Sequence, residues 1–135
     1  MPATIPFVTA VYAAVLALLG SFLTVNVIVN RVRSSVDSGD GGVATMAQAI
    51  RAHGNFAEQA PMAIIVIAFA EAAGTRPLFV NILGIALVAA RLAAAYALNR
   101  SLAVTLMRQV GATVTVLVVV AASAAILLVA AGIAP

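Results

Sequence analysis

Long apolar runs alternate along this chain with short polar breaks, and the breaks set the elements. Residues 5–30 carry no charge, enough to cross a hydrocarbon core of about 30 Å at 1.5 Å per helical residue. Arg31 and Arg33 close that run, and residues 34–42, rich in Ser, Asp and Gly, read as a loop. A second helix is expected to start near Val43–Thr45, with Thr45 a candidate cap, and to run to about residue 73, where Gly74 and Pro77 end it. Pro61 lies inside it and should kink it. Two further runs follow, the last of them uncharged from residue 109 onward. The pattern predicts a single domain over residues 1–135. Its fold class is an all-α membrane protein, a four-transmembrane-helix antiparallel bundle with helices at about 5–33, 44–73, 77–99 and 102–133. Short connections make neighbouring helices antiparallel. Alanine clusters at 93–95 and around Ser123 let backbones approach closely in lipid.

Composition sharpens this. Hydrophobic residues make up 64% of the chain and charged residues 8%, against about 25% charged in soluble domains. With no Cys there is neither a disulfide nor a thiolate of the protein's own. One His and four acidic residues do not amount to a dedicated metal centre, so no metal ligand is assigned. The net charge of +3 comes from seven arginines spread along the chain, a topology signal rather than a nucleic-acid patch. Arg31, Arg33, Arg100 and Arg108 flank the first and third connections, and Arg76 alone flanks the second. The positive-inside rule then puts connections one and three in the cytoplasm and both termini outside. The first uncharged run has no basic n-region and exceeds an h-region of roughly 7–15 residues, so it is expected to be a retained span.

The chemistry concentrates in Arg51-Ala-His-Gly-Asn-Phe-Ala-Glu-Gln-Ala-Pro61. Ionised groups in hydrocarbon cost several kcal/mol unless they are paired or face a polar cavity. Gln48, Arg51, Asn55 and Glu58 fall on one helical face, since seven residues at about 100° each return to within about 20° of the start. His53 points off it. By rise per residue, Arg51 lies about 10 Å into helix two, Arg108 about 9 Å into helix four and Arg91 about 12 Å from the end of helix three. Arg31, Arg33 and Tyr96 fall in the same layer. Only Glu58 opposes this positive layer within the bundle, so an anionic ligand is expected there. Plainer readings stand beside that one. Arg51–Glu58 can be a structural ion pair, and Arg31, Arg33 and Arg100 can be topology signals that touch lipid headgroups. Tyr96 can be an interfacial anchor, with Glu71 and Arg76 solvated near the outer surface.

The motif from Arg51 to Pro61 resembles the signature of the MAPEG family, the membrane-associated proteins in eicosanoid and glutathione metabolism, with the bacterial branch nearest. Gly39-Asp-Gly-Gly42 before it, Asn81 to Leu92 and Arg108-Gln-Val-Gly111 extend the likeness over most of the chain. The resemblance implies a homotrimer in the bacterial inner membrane that binds glutathione as co-substrate between subunits, on the cytoplasmic side. It implies transfer of glutathione to hydrophobic electrophiles, or reduction of lipid peroxides, drawn from the bilayer. By that likeness Arg51, Asn55 and Glu58 hold glutathione, Glu58 meeting its amino end. Arg31, His53 and Arg91 match family positions near the ligand, and Arg108 is the catalytic arginine at the thiol; Gln48, from the shared stripe, and Tyr96, from the same layer, are counted as ligand-binding with them. Its guanidinium would favour the thiolate of a group whose pKa is otherwise about 8.5. Two positions depart from the family pattern: Gln59 stands where many relatives have Tyr, and Tyr96 is alone on the third helix. Two other classes remain open. One is a non-catalytic glutathione- or lipid-binding scaffold on the same fold. The other is a small proton-coupled exporter using Glu58, which the shared stripe with Arg51 and Asn55 disfavours.

Overall fold

In a computed structural model, which describes residues 5–133, the chain forms four helices: α1 (Phe7–Ser34), α2 (Ala44–Ala72), α3 (Pro77–Arg100) and α4 (Leu106–Ala130). No strand occurs among the described residues. This is the all-α bundle that the apolar pattern predicts. Local chemistry explains the ends. Ser35 takes a left-handed conformation at φ 52° and closes α1 by returning its N–H to the Arg31 carbonyl. Pro77 opens α3 at a position where its missing N–H costs nothing. Thr45 does not cap α2: Val43 is the N-cap residue, with no side-chain cap, and Thr45 lies in the first turn. The fourth helix begins four residues later than the hydrophobic run, because Ser101 is extended and Thr105 provides the cap, its hydroxyl accepting from the Arg108 N–H. Pro61 sits within α2, which runs on through it. Its ring nitrogen has no hydrogen to donate to the Ala57 carbonyl.

Helices α2 and α3 occupy the centre. Each packs against the other and against both α1 and α4, while α1 and α4 do not meet among the described residues. One apolar core joins Leu16, Ile67, Val80, Leu83, Leu87 and Val118, and a second joins Leu23, Ala52, Ala95 and Leu98. Small residues set the closest approach. A Cβ on Gly111 would lie 2.8 Å from the Ala90 carbonyl oxygen and 3.1 Å from the Ala94 Cβ, so α3 and α4 are in backbone contact there. The outward faces are apolar, with Leu18, Phe22 and Val25 on α1 and Leu117, Val120 and Leu127 on α4 exposed. Helices α1, α3 and α4 are long and apolar enough to cross a membrane. Helix α2 is the longest, at 29 residues, and carries Arg51, Glu58 and Glu71.

Glu71 corrects one expectation. It is not a solvated surface group. Its carboxylate caps the start of α1, with Oε1 accepting from the Val8 N–H at 2.8 Å and Oε2 accepting from the Thr9 N–H at 2.7 Å and from the Thr9 hydroxyl. Helix α1 has no acidic residue in its first turn and no side-chain cap from its own N-cap residue. Orphan N–H groups at a helix start need an acceptor, and a carboxylate also offsets the positive end of the dipole. Nearby, the Tyr12 hydroxyl donates to Asn81 Oδ1 at 2.7 Å, which ties α1 to the start of α3. Glu71→Ala should therefore lower stability by about 1–2 kcal/mol, the scale of a lost cap. It should also speed hydrogen exchange at the Val8 and Thr9 amides, which a purely solvated Glu71 would leave unchanged.

Candidate functional site

Arg91 is the organising group. It is 1% exposed, the largest fully buried side chain in the described structure. Arg91 lies on the face of α3 that packs against α2 and α4, and those helices cover its guanidinium. Its partners come from both flanking helices: Nη1 donates to Asn55 Oδ1 on α2 at 3.3 Å, and Nη2 donates to the Gly111 carbonyl on α4 at 2.7 Å. The Thr115 hydroxyl donates to the same carbonyl at 2.9 Å. Nε has no partner among the described residues. Gly111 makes this contact possible, since a side chain there would drive α4 away from α3.

On α2 the polar groups on either side of Asn55 open outward, Arg51 one turn nearer the membrane edge and Glu58 about one turn deeper. Arg51 Nη1 and Glu58 Oε1 are 3.3 Å apart, the one ion pair among the described residues, with the two side chains 47% and 57% exposed. The pair passes beside Gly54, where an added Cβ would lie 4.0 Å from Glu58 Oε1, an ordinary contact, so the pair does not depend on the glycine. Arg108 lies only about 3 Å inside α4 rather than the 9 Å implied by a helix starting at residue 102. It is half-buried, and Nη1 donates to the Leu102 carbonyl at 3.0 Å. A cation in a first turn faces the positive end of the helix dipole, an arrangement an added anion relieves. Arg51 lies about 6 Å before Asn55 along α2, and Arg108 about 4.5 Å before Gly111 along α4. The buried Arg91 bridge thus has a guanidinium on either side, toward the same end of the bundle. His53 is half-buried in the same turn of α2. Deeper along this face, a 330 Å³ cavity between α2 and α4 is lined by Glu58, Gln59, Met62, Thr115 and Val120. Gln59 Oε1 is buried there without a partner among the described residues.

Other residues singled out in the sequence lie elsewhere. Gln48 and Tyr96 line a separate 530 Å³ groove between α1, α2 and α3, together with Asn26, Asn30, Arg33 and Asn99. Gln48 Nε2 also reaches the Arg100 carbonyl at 3.4 Å, and the Arg100 guanidinium stacks 5.0 Å above the Tyr96 ring. Arg31 turns into the first loop, where Nη1 donates to the carbonyls of Val36, Asp37 and Gly39 at 3.2–3.3 Å. The structure therefore brings Arg51, Asn55, Glu58, Arg91 and Arg108 toward the α2–α4 side, while His53 has no hydrogen-bond partner among the described residues and lies off that face. The fold sends Gln48 and Tyr96 to the α1 side and Arg31 to the loop. The motif-led reading passed over Gly111, whose carbonyl is the main Arg91 acceptor, and the three asparagines of the groove. Asn26 and Asn30 carried a usable signal: two amides at i, i+4 in a run without charge.

Membrane-length apolar helices around a polar cluster shared by α2, α3 and α4 define a small multi-span integral membrane protein. The chain belongs to the MAPEG family, whose sequence profile matches residues 9–128. It is similar to the inner membrane protein YecN of Escherichia coli K12, 39% identical over 95 residues, which span 70% of this chain and 72% of that protein. YecN of Escherichia coli O6:H1 (strain CFT073) matches with the same figures.

The Arg91 bridge sets a stability prediction. Arg91→Lys keeps the charge but cannot span Asn55 and Gly111 with one planar fork. It should cost about 1.5–3 kcal/mol, the range for hydrogen bonds to charged groups, measured by unfolding in mild detergent. A loss no larger than that of Arg76→Lys, at an exposed site, would mean the bridge does not hold the helices.

Proposed function

We propose that this protein binds glutathione on the α2–α4 face and uses its sulfur against hydrophobic electrophiles or lipid hydroperoxides from the bilayer. The observation that carries the reading is the half-exposed Arg51–Glu58 pair on a helix set among membrane spans. Charges there must be covered, and a second copy of the chain together with a zwitterionic ligand covers both signs. Glutathione brings two carboxylates and one ammonium. Arg51 suits a carboxylate and Glu58 the ammonium, with Asn55 held in place by Arg91. In this reading Arg91 is a positioning residue. The assembly is a homotrimer in the inner membrane, with the arginine-rich end, bearing Arg31, Arg33, Arg100 and Arg108, in the cytoplasm.

Arg108 is the group proposed at the sulfur. A guanidinium beside a thiol favours the thiolate, and the adjacent α4 N-terminus adds to the effect. In conjugation, the thiolate forms a carbon–sulfur bond as the leaving group departs with its electron pair. In peroxide reduction, it attacks the terminal oxygen. The O–O bond breaks, the alkoxide takes a proton to give the alcohol, and the sulfenic acid condenses with a second glutathione to a disulfide and water. The cavity between α2 and α4, lined by Met62, Val116 and Val120, is an apolar path from lipid toward Glu58. A second reading, a binding protein without turnover, is favoured by the tyrosines. Tyr12 is engaged with Asn81, and Tyr96 lines the α1-side groove, so neither phenol is on the α2–α4 face. The exporter reading is weakened because Glu58 is paired.

Saturating glutathione, at a hundredfold excess over its Kd, should stabilise the detergent-solubilised protein by about 2.7 kcal/mol. Arg51→Ala should remove the effect, and a wild-type protein indifferent to glutathione would overturn the reading. Arg108→Ala should retain binding while lowering the ultraviolet thiolate absorbance of bound glutathione and the rate of conjugation to a generic aryl halide. Binding with thiolate unchanged by Arg108→Ala, and no conjugation, would select the non-catalytic alternative. Native mass spectrometry should find three copies. Because the chain has no Cys, Ser38→Cys offers a single label site that should react only after the inner membrane is opened.

A further inference from the structure

The groove between α1, α2 and α3 lies apart from the Arg51–Glu58 pair, and its lining sorts by depth. Counting back from Ser34 at 1.5 Å per residue, Asn30 lies about 6 Å, Asn26 about 12 Å and Leu19 about 22 Å into α1. Amides and Arg33 therefore line the end near the membrane edge, while Leu19, Phe22 and Leu92 line the deeper part. Phe22, Leu92 and Tyr96 are exposed, so the groove opens to the lipid side.

The hydrogen bonds inside it leave defined vacancies for a ligand. Asn26 Nδ2 donates to Asn99 Oδ1 at 2.8 Å, Asn99 Nδ2 donates to the Ala95 carbonyl, and Asn30 Nδ2 donates to the Asn26 carbonyl. This leaves Asn30 Oδ1 and Gln48 Oε1 as acceptors. The Arg33 guanidinium has no partner among the described residues, no carboxylate lines the groove, and Arg100 stands over Tyr96 at its rim. Amides in a membrane span are costly unless they are bonded or facing a polar ligand.

We infer that this groove binds an anionic phospholipid whose headgroup carries hydroxyls, phosphatidylglycerol being the common example. The phosphate meets Arg33. Headgroup hydroxyls donate to Asn30 Oδ1 and Gln48 Oε1, and an acyl chain follows Leu19, Phe22 and Leu92. A choline or ethanolamine head would bring its own cation to Arg33, so neutral lipids are disfavoured. The inference does not depend on the glutathione reading.

The test uses full-length protein in nanodiscs holding equal parts of phosphatidylglycerol, phosphatidylcholine and phosphatidylethanolamine, with retained lipid read by native mass spectrometry. Phosphatidylglycerol should be retained over both neutral lipids. Arg33→Gln, at an exposed position, should reduce that retention about fivefold, the factor for one arginine at an anionic surface. In a second set of nanodiscs, holding equal parts of phosphatidylglycerol and phosphatidic acid, the wild type should prefer phosphatidylglycerol, and Asn30→Leu should abolish that preference because phosphatidic acid lacks the headgroup hydroxyls. Arg76→Gln, at the opposite end, should change nothing. Equal retention of the three lipids, or an equal loss in Arg76→Gln, would overturn the inference. So would displacement of the lipid by millimolar glutathione, which would assign the groove to the peptide instead.

Discussion

A guanidinium closed off from water inside a membrane bundle must find acceptors in the protein, and Arg91 finds them on two helices at once. The Gly111 carbonyl and the Asn55 amide fix α4 and α2 against α3 at one level. The geometry tolerates little change, because the Gly111 carbonyl is reachable only while α4 lies in backbone contact with α3. One buried cation thus sets the spacing of three helices. It also orients Asn55 on the face where Arg51 and Glu58 stand.

The remaining polar groups divide by direction. Those turned inward are engaged within the fold: Glu71 caps α1, Tyr12 meets Asn81, Arg31 gathers the carbonyls of the first loop, and Asn26 meets Asn99. Those turned outward lack enough protein around them. Arg51 and Glu58 have only each other, Arg108 has one backbone carbonyl, and Arg33 has no partner among the described residues. In water these would be ordinary surface charges. Next to hydrocarbon each needs water, a lipid headgroup or a further partner to offset its charge. Arg33 falls on a different side of the bundle from Arg51, Glu58 and Arg108, since α1 and α4 are separated by α2 and α3. The molecule therefore offers two polar surfaces of different character. The α2–α4 side carries both signs of charge, which suits a zwitterion. The groove on the α1 side is lined by amides and arginine without acid, which suits an anion with hydroxyls.

The positions of Arg108 and Glu71 show how far a rise-per-residue count can be trusted. The apolar run begins at Leu102, but the helix does not, because Ser101 is extended and Thr105 makes the cap. Arg108 consequently lies in a first turn, where the helix dipole acts on it most strongly. Glu71, near the end of α2, has the sequence context of a solvated charge, yet it caps the start of α1. Neither outcome follows from hydropathy. Both follow from the orphan N–H groups that every helix start must satisfy.

The sequence by itself determined the membrane class, the number of helices and the family, because apolar run length and a spaced motif are local properties that survive any packing. It also determined that Arg51, Asn55 and Glu58 share a face, since helical periodicity alone places them there. The tertiary structure decided which polar groups meet across helices. It put Arg91 on Asn55 and Gly111, sent Gln48 and Tyr96 to the α1-side groove, and turned Arg31 into the loop. Those outcomes depend on the rotation of each helix about its axis and on which helices touch. Small residues such as Gly111 set both through close packing, and no single helix carries that information in its own pattern.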